Sequence, residues 1–283
     1  MSENINNNRY IIAVSGGIDS VVLLDMLSKK TGLELIVAHF DHGIREDSHL
    51  DAQFVTDLAQ KYNLPIELQR EELGLNASEE TARIRRYKFL RDIADKYNAK
   101  IITAHHCDDV IETIAINLLR GTGWRGLAAM DSDILRPLTN KTKTEIINYA
   151  KQHKLKWRDD STNAADKYLR NRVRQNAIKL EDDIKRQLLG LWVTQKSIKR
   201  LIDKEVASLI GDGPNYSRYF FTHINQSTAI ECLRYITKAK LTRPQMIKVL
   251  HNIKTIKSGK AYSAGGGIKI NFTSRNFTVE LVK

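Results

Sequence analysis

Tyr10-Ile11-Ile12-Ala13-Val14-Ser15-Gly16-Gly17-Ile18-Asp19-Ser20-Val21-Val22-Leu23-Leu24 is the stretch from which the rest of the chain can be read. Tyr10 to Val14 is a short apolar run rich in β-branched residues and predicts a buried strand. Val21 to Lys30 predicts a helix packed back on that strand. The turn between them, Ser15-Gly16-Gly17-Ile18-Asp19-Ser20, has the makings of an anion seat. Its glycines carry no Cβ to hold an anion off the backbone. The first N–H groups of the helix lack intrahelical partners and lie at the positive end of its dipole. Ser15 and Ser20 add hydroxyl donors, and Asp19 adds a carboxylate able to hold Mg²⁺ against phosphates. Such a turn can also serve only to let helix and strand pack closely.

Outward from this turn, strand and helix patterns alternate. Leu33 to His39 predicts a second strand, running into the polar loop Phe40-Asp41-His42-Gly43-Ile44-Arg45. A helix follows from about Ser48 to Tyr62, then a weaker strand at Pro65 to Leu68. The next helix, with Asn76 as cap and Glu79 as its partner, runs to about Tyr97. Lys100 to Ala104 predicts a fourth strand. This alternation predicts an α/β fold with a doubly wound, Rossmann-like parallel sheet, whose ligand lies outside the carboxyl ends of the strands. The residues after strands one, two and four then converge.

After strand four comes His105-His106-Cys107-Asp108-Asp109-Val110-Ile111-Glu112-Thr113. Two histidines and three carboxylates exceed what capping a helix requires. The cluster fits a hydrolytic metal site, or a Mg²⁺ and proton-transfer site beside a nucleotide; the Ser/Gly turn favours the second. Leu119 to Leu127 is a Gly-rich loop with two arginines and a tryptophan, and Thr142 and Glu145 are spaced as a capping box. Arg170, Arg172 and Arg174 suit a phosphate chain, either pyrophosphate or an RNA backbone. A long helix from about Asp182 to Ile210 ends at Gly211-Asp212-Gly213-Pro214. Helices at Thr228–Lys238 and Arg243–Asn252 and strands at Ala261–Ser263, Ile268–Phe272 and Phe277–Val282 complete the pattern.

Composition bounds the setting. Hydrophobic content of 42% and charged content of 28% describe a globular protein. Cys107 and Cys232, the only cysteines, form neither a C-x-x-C pair nor a disulfide framework. Met1 to Asn8 lacks the apolar core of a signal peptide, and no apolar run approaches membrane-spanning length, so a cytoplasmic protein is expected. The net charge of +12 is uneven: residues 1–150 hold 18 basic and 22 acidic side chains, residues 151–283 hold 27 and 11. That asymmetry suits a nucleotide-binding half joined to a half that grips a polyanion. Three parts are expected: residues 1–180 as a nucleotide-binding domain, 181–214 as a bridging helix and linker, and 215–283 as a small basic α+β domain suited to RNA.

The G-K-[ST] ending of the commonest nucleotide loop is absent, as is a G-x-G-x-x-G turn. Ser15-Gly16-Gly17-Ile18-Asp19-Ser20 instead resembles the pyrophosphate loop of the adenylating ATP pyrophosphatases. With His39 to Arg45, Glu80-Thr81-Ala82-Arg83, Arg86-Tyr87, Thr103 to Asp109, Glu112-Thr113, Leu119 to Gly123, Arg136-Pro137-Leu138, Asp160 to Asn163 and Tyr168 to Arg174 in order, the chain resembles the tRNA(Ile)-lysidine synthetase family. The resemblance covers most of residues 10–180.

It implies ATP-dependent adenylation of the C2 carbonyl oxygen of the first anticodon cytidine of tRNA(Ile). Displacement of AMP by the amine of free L-lysine then gives lysidine. It further implies that Ser15, Gly16, Gly17, Ile18, Asp19 and Ser20 cradle ATP, that Asp19 binds Mg²⁺, and that Arg83 and His105 hold the nucleotide. Asp109 would hold lysine or accept its proton, and Arg170, Arg172 and Arg174 would face phosphates. Long members carry a further C-terminal domain for which residues 1–283 leave no room, so the chain is expected to be either a short form or a cut one, and part of the tRNA grip is left open. A homodimer is left open. A tRNA 2-thiolation enzyme on the same ATP domain is the nearest rival, and two distant cysteines speak against it. A hydrolytic metalloenzyme and a non-catalytic RNA-binding protein are the others.

Overall fold

The computed structural model describes residues 9–43, 48–72, 74, 78–158, 172–173, 179–211 and 213–282. By contacts the chain divides into two compact units, Met1–Lys196 and Ser197–Lys283.

The first unit is built on four parallel strands: β1 (Arg9–Ala13), β2 (Glu34–Asp41), β3 (Ile66–Arg70) and β4 (Lys100–Ile102). Their order is β3-β2-β1-β4, so the winding reverses between β1 and β4. Helices α1 (Ile18–Ser28), α2 (Ser48–Lys61), α3 (Glu79–Tyr97) and α4 (Cys107–Leu119) follow the four strands. A short helix α5 (Trp124–Leu127), a 3-10 turn (Pro137–Asn140) and α6 (Lys143–Gln152) come next. The doubly wound parallel sheet read from the sequence is the fold observed.

Alternation along the strands explains the two layers. Tyr10, Ile12, Leu35 and Val37 join the side chains of α1, α2 and α6 in one core. Ile11, Ile36, Ala38 and Phe40 face the other way, onto Phe89, Leu90 and Ile93 of α3. With both faces covered, the strands can be apolar throughout. Asp25 of α1 is buried in the first layer and accepts hydrogen bonds from Tyr62 (2.7 Å), Tyr149 (2.8 Å) and Lys29 (2.6 Å). These bonds tie α1 to the end of α2 and to α6, and so fix the helix whose N-terminus carries the Ser/Gly turn.

Some boundaries differ from the sequence reading. The helix after β3 is capped by Ser78, whose Oγ accepts from the Thr81 N–H at 3.1 Å; Asn76 lies outside the described residues. The fourth strand ends at Ile102, where it forms a parallel bridge with Leu135 on its outer side: Leu135 N–H donates to Ile101 O at 2.9 Å and Thr103 N–H to Leu135 O at 3.0 Å.

Helix α7 (Asp182–Ile210) has the bounds read from the sequence, and the division between the units falls inside it. The second unit has an antiparallel sheet of order β5-β8-β7-β6. Its strands are β5 (Asn215–Ser217), β6 (Ala261–Gly265), β7 (Ile268–Phe272) and β8 (Asn276–Leu281). Helices α8 (Arg218–His223), α9 (Gln226–Ile236) and α10 (Arg243–Thr255) pack on it around Phe221, Met246, Ile270, Phe272 and Phe277. The sequence reading lacked β5 and α8. Three residues and six are too short to show a period, and both are held by partners distant in the chain, β8 and Arg275. Among the described residues no helix is long and apolar enough to cross a membrane.

Candidate active site

A cavity of about 390 Å³ opens at the carboxyl ends of β1, β2 and β4. Its wall includes Val14, Ser15 and Asp19 from the first turn, His39 to His42 from β2 and its loop, Arg86 and Tyr87 from α3, and Thr103 to His105 with Asp109. A volume of a few hundred Å³ takes a small-molecule ligand, and this is where the winding reverses, the place such sheets reserve for ligands.

The first turn is shaped by its own bonds. Ser20 Oγ donates to Gly17 O at 2.8 Å, and the Ser15 N–H donates to Ser20 Oγ at 3.2 Å. Gly16 has φ +91°, and its carbonyl is taken by the Arg158 N–H at 3.0 Å. Gly17 is the N-cap of α1 and supplies no side chain to cap it. The N-terminal N–H groups of α1 are thus left for a ligand. Ile18 packs on the adjoining core. Asp19, in the first turn of the helix, meets Lys143 Nζ at 2.5 Å and lies 3.8 Å from His106 Nε2, both through Oδ1.

At the fourth strand the two histidines part company. His105 lines the cavity and its Nδ1 pairs with Thr103 Oγ1 at 2.8 Å. Burial pushes its pKa down to about 4; Asp109 pulls the other way, and Arg136, Arg86 and Arg83 add to the lowering. It is a neutral hydrogen-bonding group at pH 7. His106 is buried and caps α4, its Nδ1 accepting from the Asp108 N–H at 3.2 Å. Burial pulls His106 down, but Asp108, Asp109 and Asp19 outweigh it, and its pKa lies above the ordinary histidine value.

The two aspartates also part. Asp109 lines the cavity and closes the capping box, its Oδ2 accepting from the His106 N–H at 2.8 Å. Asp108 is buried between Lys185 Nζ (2.5 Å) and the Lys143 N–H (2.9 Å), and its carboxyl is held well below the usual range. Burial there opposes ionisation, and the nearby His106 ring together with the bonds from Lys185 and the Lys143 N–H overcomes it. A carboxylate so engaged is no metal ligand, which removes one member of the hydrolytic metal reading.

Arg83 is exposed and stacks over Tyr87 at 5.0 Å; Arg86, one turn along α3, is the arginine in the cavity wall. Arg172 is exposed, and Arg170 and Arg174 lie outside the described residues. Sequence reasoning missed Lys143. The signal was available: a lysine at the first position of a helix opposes the dipole there, and such a local conflict marks a residue held for another purpose. Both cysteines are buried, Cys107 with its thiol pushed up to about 12 and Cys232 to about 11, each chiefly by burial. Neither is a ready thiolate.

A parallel sheet with a Ser/Gly anion turn, a cavity at its switch point and an acidic helix start beside it defines a nucleotide-site α/β protein. The sequence profile of the PP-loop domain family matches residues 1–181, and the chain belongs to that family. It is similar to a tRNA(Ile)-lysidine synthase of Thermosipho africanus, 34% identical over 226 residues that cover 72% of this chain and 53% of the relative. A tRNA(Ile)-lysidine synthase of Rickettsia typhi is 32% identical over 245 residues, 78% of this chain and 56% of the relative. The chain thus spans about half the length of the curated relatives it matches. Among solved structures, the U34-tRNA thiolase NcsA of Methanococcus maripaludis, with its 4Fe-4S cluster, superposes with a TM-score of 0.57. That match covers 68% of this chain and 72% of the thiolase at 16% identity, a likeness of fold alone.

Proposed function

We propose that the chain is an ATP-dependent ligase that places free lysine on C2 of the first anticodon cytidine of an isoleucine tRNA. The observation that carries this reading is the 390 Å³ cavity bounded by the Ser15 turn, Asp19, His105 and Asp109. In this reading the cytidine C2 carbonyl oxygen attacks the α-phosphorus of ATP. The bond to the bridging oxygen breaks, and pyrophosphate leaves with its electron pair. The lysine ε-amine then bonds to C2, and AMP departs with the oxygen. A urea-like carbonyl is a poor electrophile, and adenylation turns its oxygen into a leaving group.

The residues divide the work. The N–H groups at the start of α1 and the hydroxyls of Ser15 and Ser20 would seat phosphate. Neutral His105 can hydrogen-bond the nucleotide without adding charge. Asp109, held at the mouth of α4 by its capping bond, would orient the lysine ammonium and take its proton. Mg²⁺ suits this site: it takes one or two carboxylate oxygens and completes its shell with phosphates and water, and Asp19 offers such an oxygen in the first turn of the phosphate helix. Bound there, the ion would neutralise phosphate charge. A cytoplasmic setting, where ATP, free lysine and tRNA occur together, follows from the reaction.

The second unit supports the RNA part of the reading. From Gly213 to Val279 the sequence has eleven Lys and Arg and a single acid, Glu231. Tyr219 is 72% exposed and stacked on His223 at 3.9 Å, leaving one ring face for a base. Buried, high-pKa cysteines speak against 2-thiolation.

The test mixes the chain with ATP, radiolabelled lysine and total tRNA. Label in base-stable linkage to one isoleucine acceptor is expected. ATP-independent phosphate release with no label in RNA would instead place the chain among hydrolases.

A further inference from the structure

The Ser15–Ser20 turn has no lysine of its own, yet an ammonium stands beside it. Lys143 lies 124 positions further along the chain, and its Nζ donates to Asp19 Oδ1 at 2.5 Å. Asp19 is in the first turn of α1, next to the N–H groups that would seat phosphate. A cation one hydrogen bond from Asp19 is therefore within reach of a polyphosphate bound there.

The base of this lysine is well fixed. Its N–H donates to Asp108 Oδ2 at 2.9 Å, and Asp108 is anchored in turn by Lys185. Thr142, just before it, forms the capping box with Glu145. The head is less committed: its side chain is 32% exposed, and Asp19 is the partner found for its ammonium among the described residues. At the first position of α6 the helix dipole works against a cation, so helix stability does not account for its presence.

The charge of the cavity calls for such a group. Four carboxylates line it, Asp19, Asp41, Asp51 and Asp109. Two are already answered: Asp41 by Ser48 Oγ and the Gly43 N–H, and Asp51 by the Arg158 guanidinium. A triphosphate entering such a wall needs cations on the phosphate side. Arg86 is the arginine of the lining and sits on α3, whereas Lys143, at the start of α6, brings its ammonium to Asp19 in the first turn of α1.

We propose that Lys143 is the phosphate-reaching lysine of this site. Its ammonium rests on Asp19 and passes to the β- and γ-phosphates when ATP binds. It stays there as the bond from the α-phosphorus to the bridging oxygen breaks and that oxygen takes the electron pair. The ammonium transfers no proton; it offsets the charge that accumulates on the leaving pyrophosphate. Asp19, once released, is free to hold Mg²⁺. The inference rests on the ATP-using reading above.

The test is calorimetric and uses the full chain with Mg²⁺ and no tRNA, titrated with ATP, inorganic pyrophosphate and AMP. Lys143→Ala is expected to weaken ATP and pyrophosphate by about tenfold or more, with AMP changed less than about twofold and Lys143→Arg recovering most of the loss. A role confined to holding Asp19 in place would act through Mg²⁺, so in a repeat titration in EDTA Lys143→Ala would bind ATP and pyrophosphate as the wild type does; that result, or no change in either ligand with Mg²⁺ present, overturns the proposal. Lys143→Gln keeps the stem and gives the same comparison if the alanine variant does not fold. Wild-type chain that binds no ATP would instead remove the nucleotide reading itself.

Discussion

Gly16 and Gly17 are neighbours that are glycine for different reasons. Gly16 has φ +91°, where an L side chain costs about 1–2 kcal/mol, and a Cβ there would press on Phe54 at 3.4 Å. Gly17 has φ −70° and ψ 159°, an ordinary conformation, and a Cβ would meet only Ser15 Oγ at 3.6 Å. The fold itself has no need of glycine at position 17; the proposed phosphate seat does. Gly16→Ala should lower stability by about 1–2 kcal/mol. Gly17→Ala should leave thermal unfolding nearly unchanged and weaken ATP about tenfold or more, as close backbone approach is blocked. Normal ATP binding by a folded Gly17→Ala chain would deny the turn its phosphate role. His105 and His106 offer a second reading at this scale, because their shifts have opposite signs. His105 is depressed below the unfolded value of about 6.5, so its contribution is intact above that pH and is lost as pH falls towards about 4. His106 is raised, so its contribution is present below about pH 6.5 and is lost as pH rises through the folded value. In an NMR titration from about pH 5.5 to 8, the His105 ring should stay silent while the His106 midpoint lies above the ordinary histidine value of about 6.5. Titration of His105 near 6.5 would contradict the buried, neutral ring.

The start of α4 is the most heavily braced element of the site. His106 and Asp109 close its capping box, and Asp108 reaches back to Lys185 at the start of α7 and to the backbone at the start of α6. Three helices therefore meet on one buried carboxylate. Lys185→Met removes the ammonium and leaves Asp108 buried without its cation, so urea unfolding should show a loss of about 3–5 kcal/mol. Replacing both partners by apolar residues should recover much of it; a single-variant loss below about 1 kcal/mol would show the pair to be dispensable. Some of this bracing is legible in the sequence. The Thr142–Glu145 box and the 182–210 helix can be read there because capping and helical periodicity are local. The Asp108–Lys185 pair cannot, because 77 residues separate its members and only the packing of α7 brings them together.

For the molecule as a whole, most of the excess positive charge lies in the second unit. The first unit holds the parallel sheet and cavity, and the second carries the run from Gly213 to Val279 with eleven basic residues against one acid. The Tyr219 ring is held ready for stacking, since His223 covers one face and bonds the Tyr219 carbonyl at 2.7 Å. Base stacking on such a ring is worth about 1–3 kcal/mol, so Tyr219→Ala should weaken tRNA binding by roughly five- to a hundredfold, while Tyr219→Phe keeps it. Removing Lys254 and Lys257 should instead flatten the salt dependence, by about one unit of slope for each phosphate no longer neutralised. Filter binding across a salt series measures both. A Tyr219→Ala chain that binds tRNA as the wild type does would move the RNA-binding surface elsewhere.

The order strand, Ser/Gly turn, helix, and the parallel sheet that follows from its repetition, were determined by the sequence alone, because hydrophobic period and backbone-permissive glycines act over a few residues. So was the convergence of the Ser15 turn with His105 and Asp109, which follows from strand direction. Tertiary structure decided which of two adjacent histidines faces the cavity, which of two adjacent aspartates is buried in an ion pair, and that Arg86 rather than Arg83 joins the wall. It also brought Lys143 to Asp19 across 124 positions. Side chains one residue apart point in different directions, and what each meets there depends on segments that only the packed chain assembles.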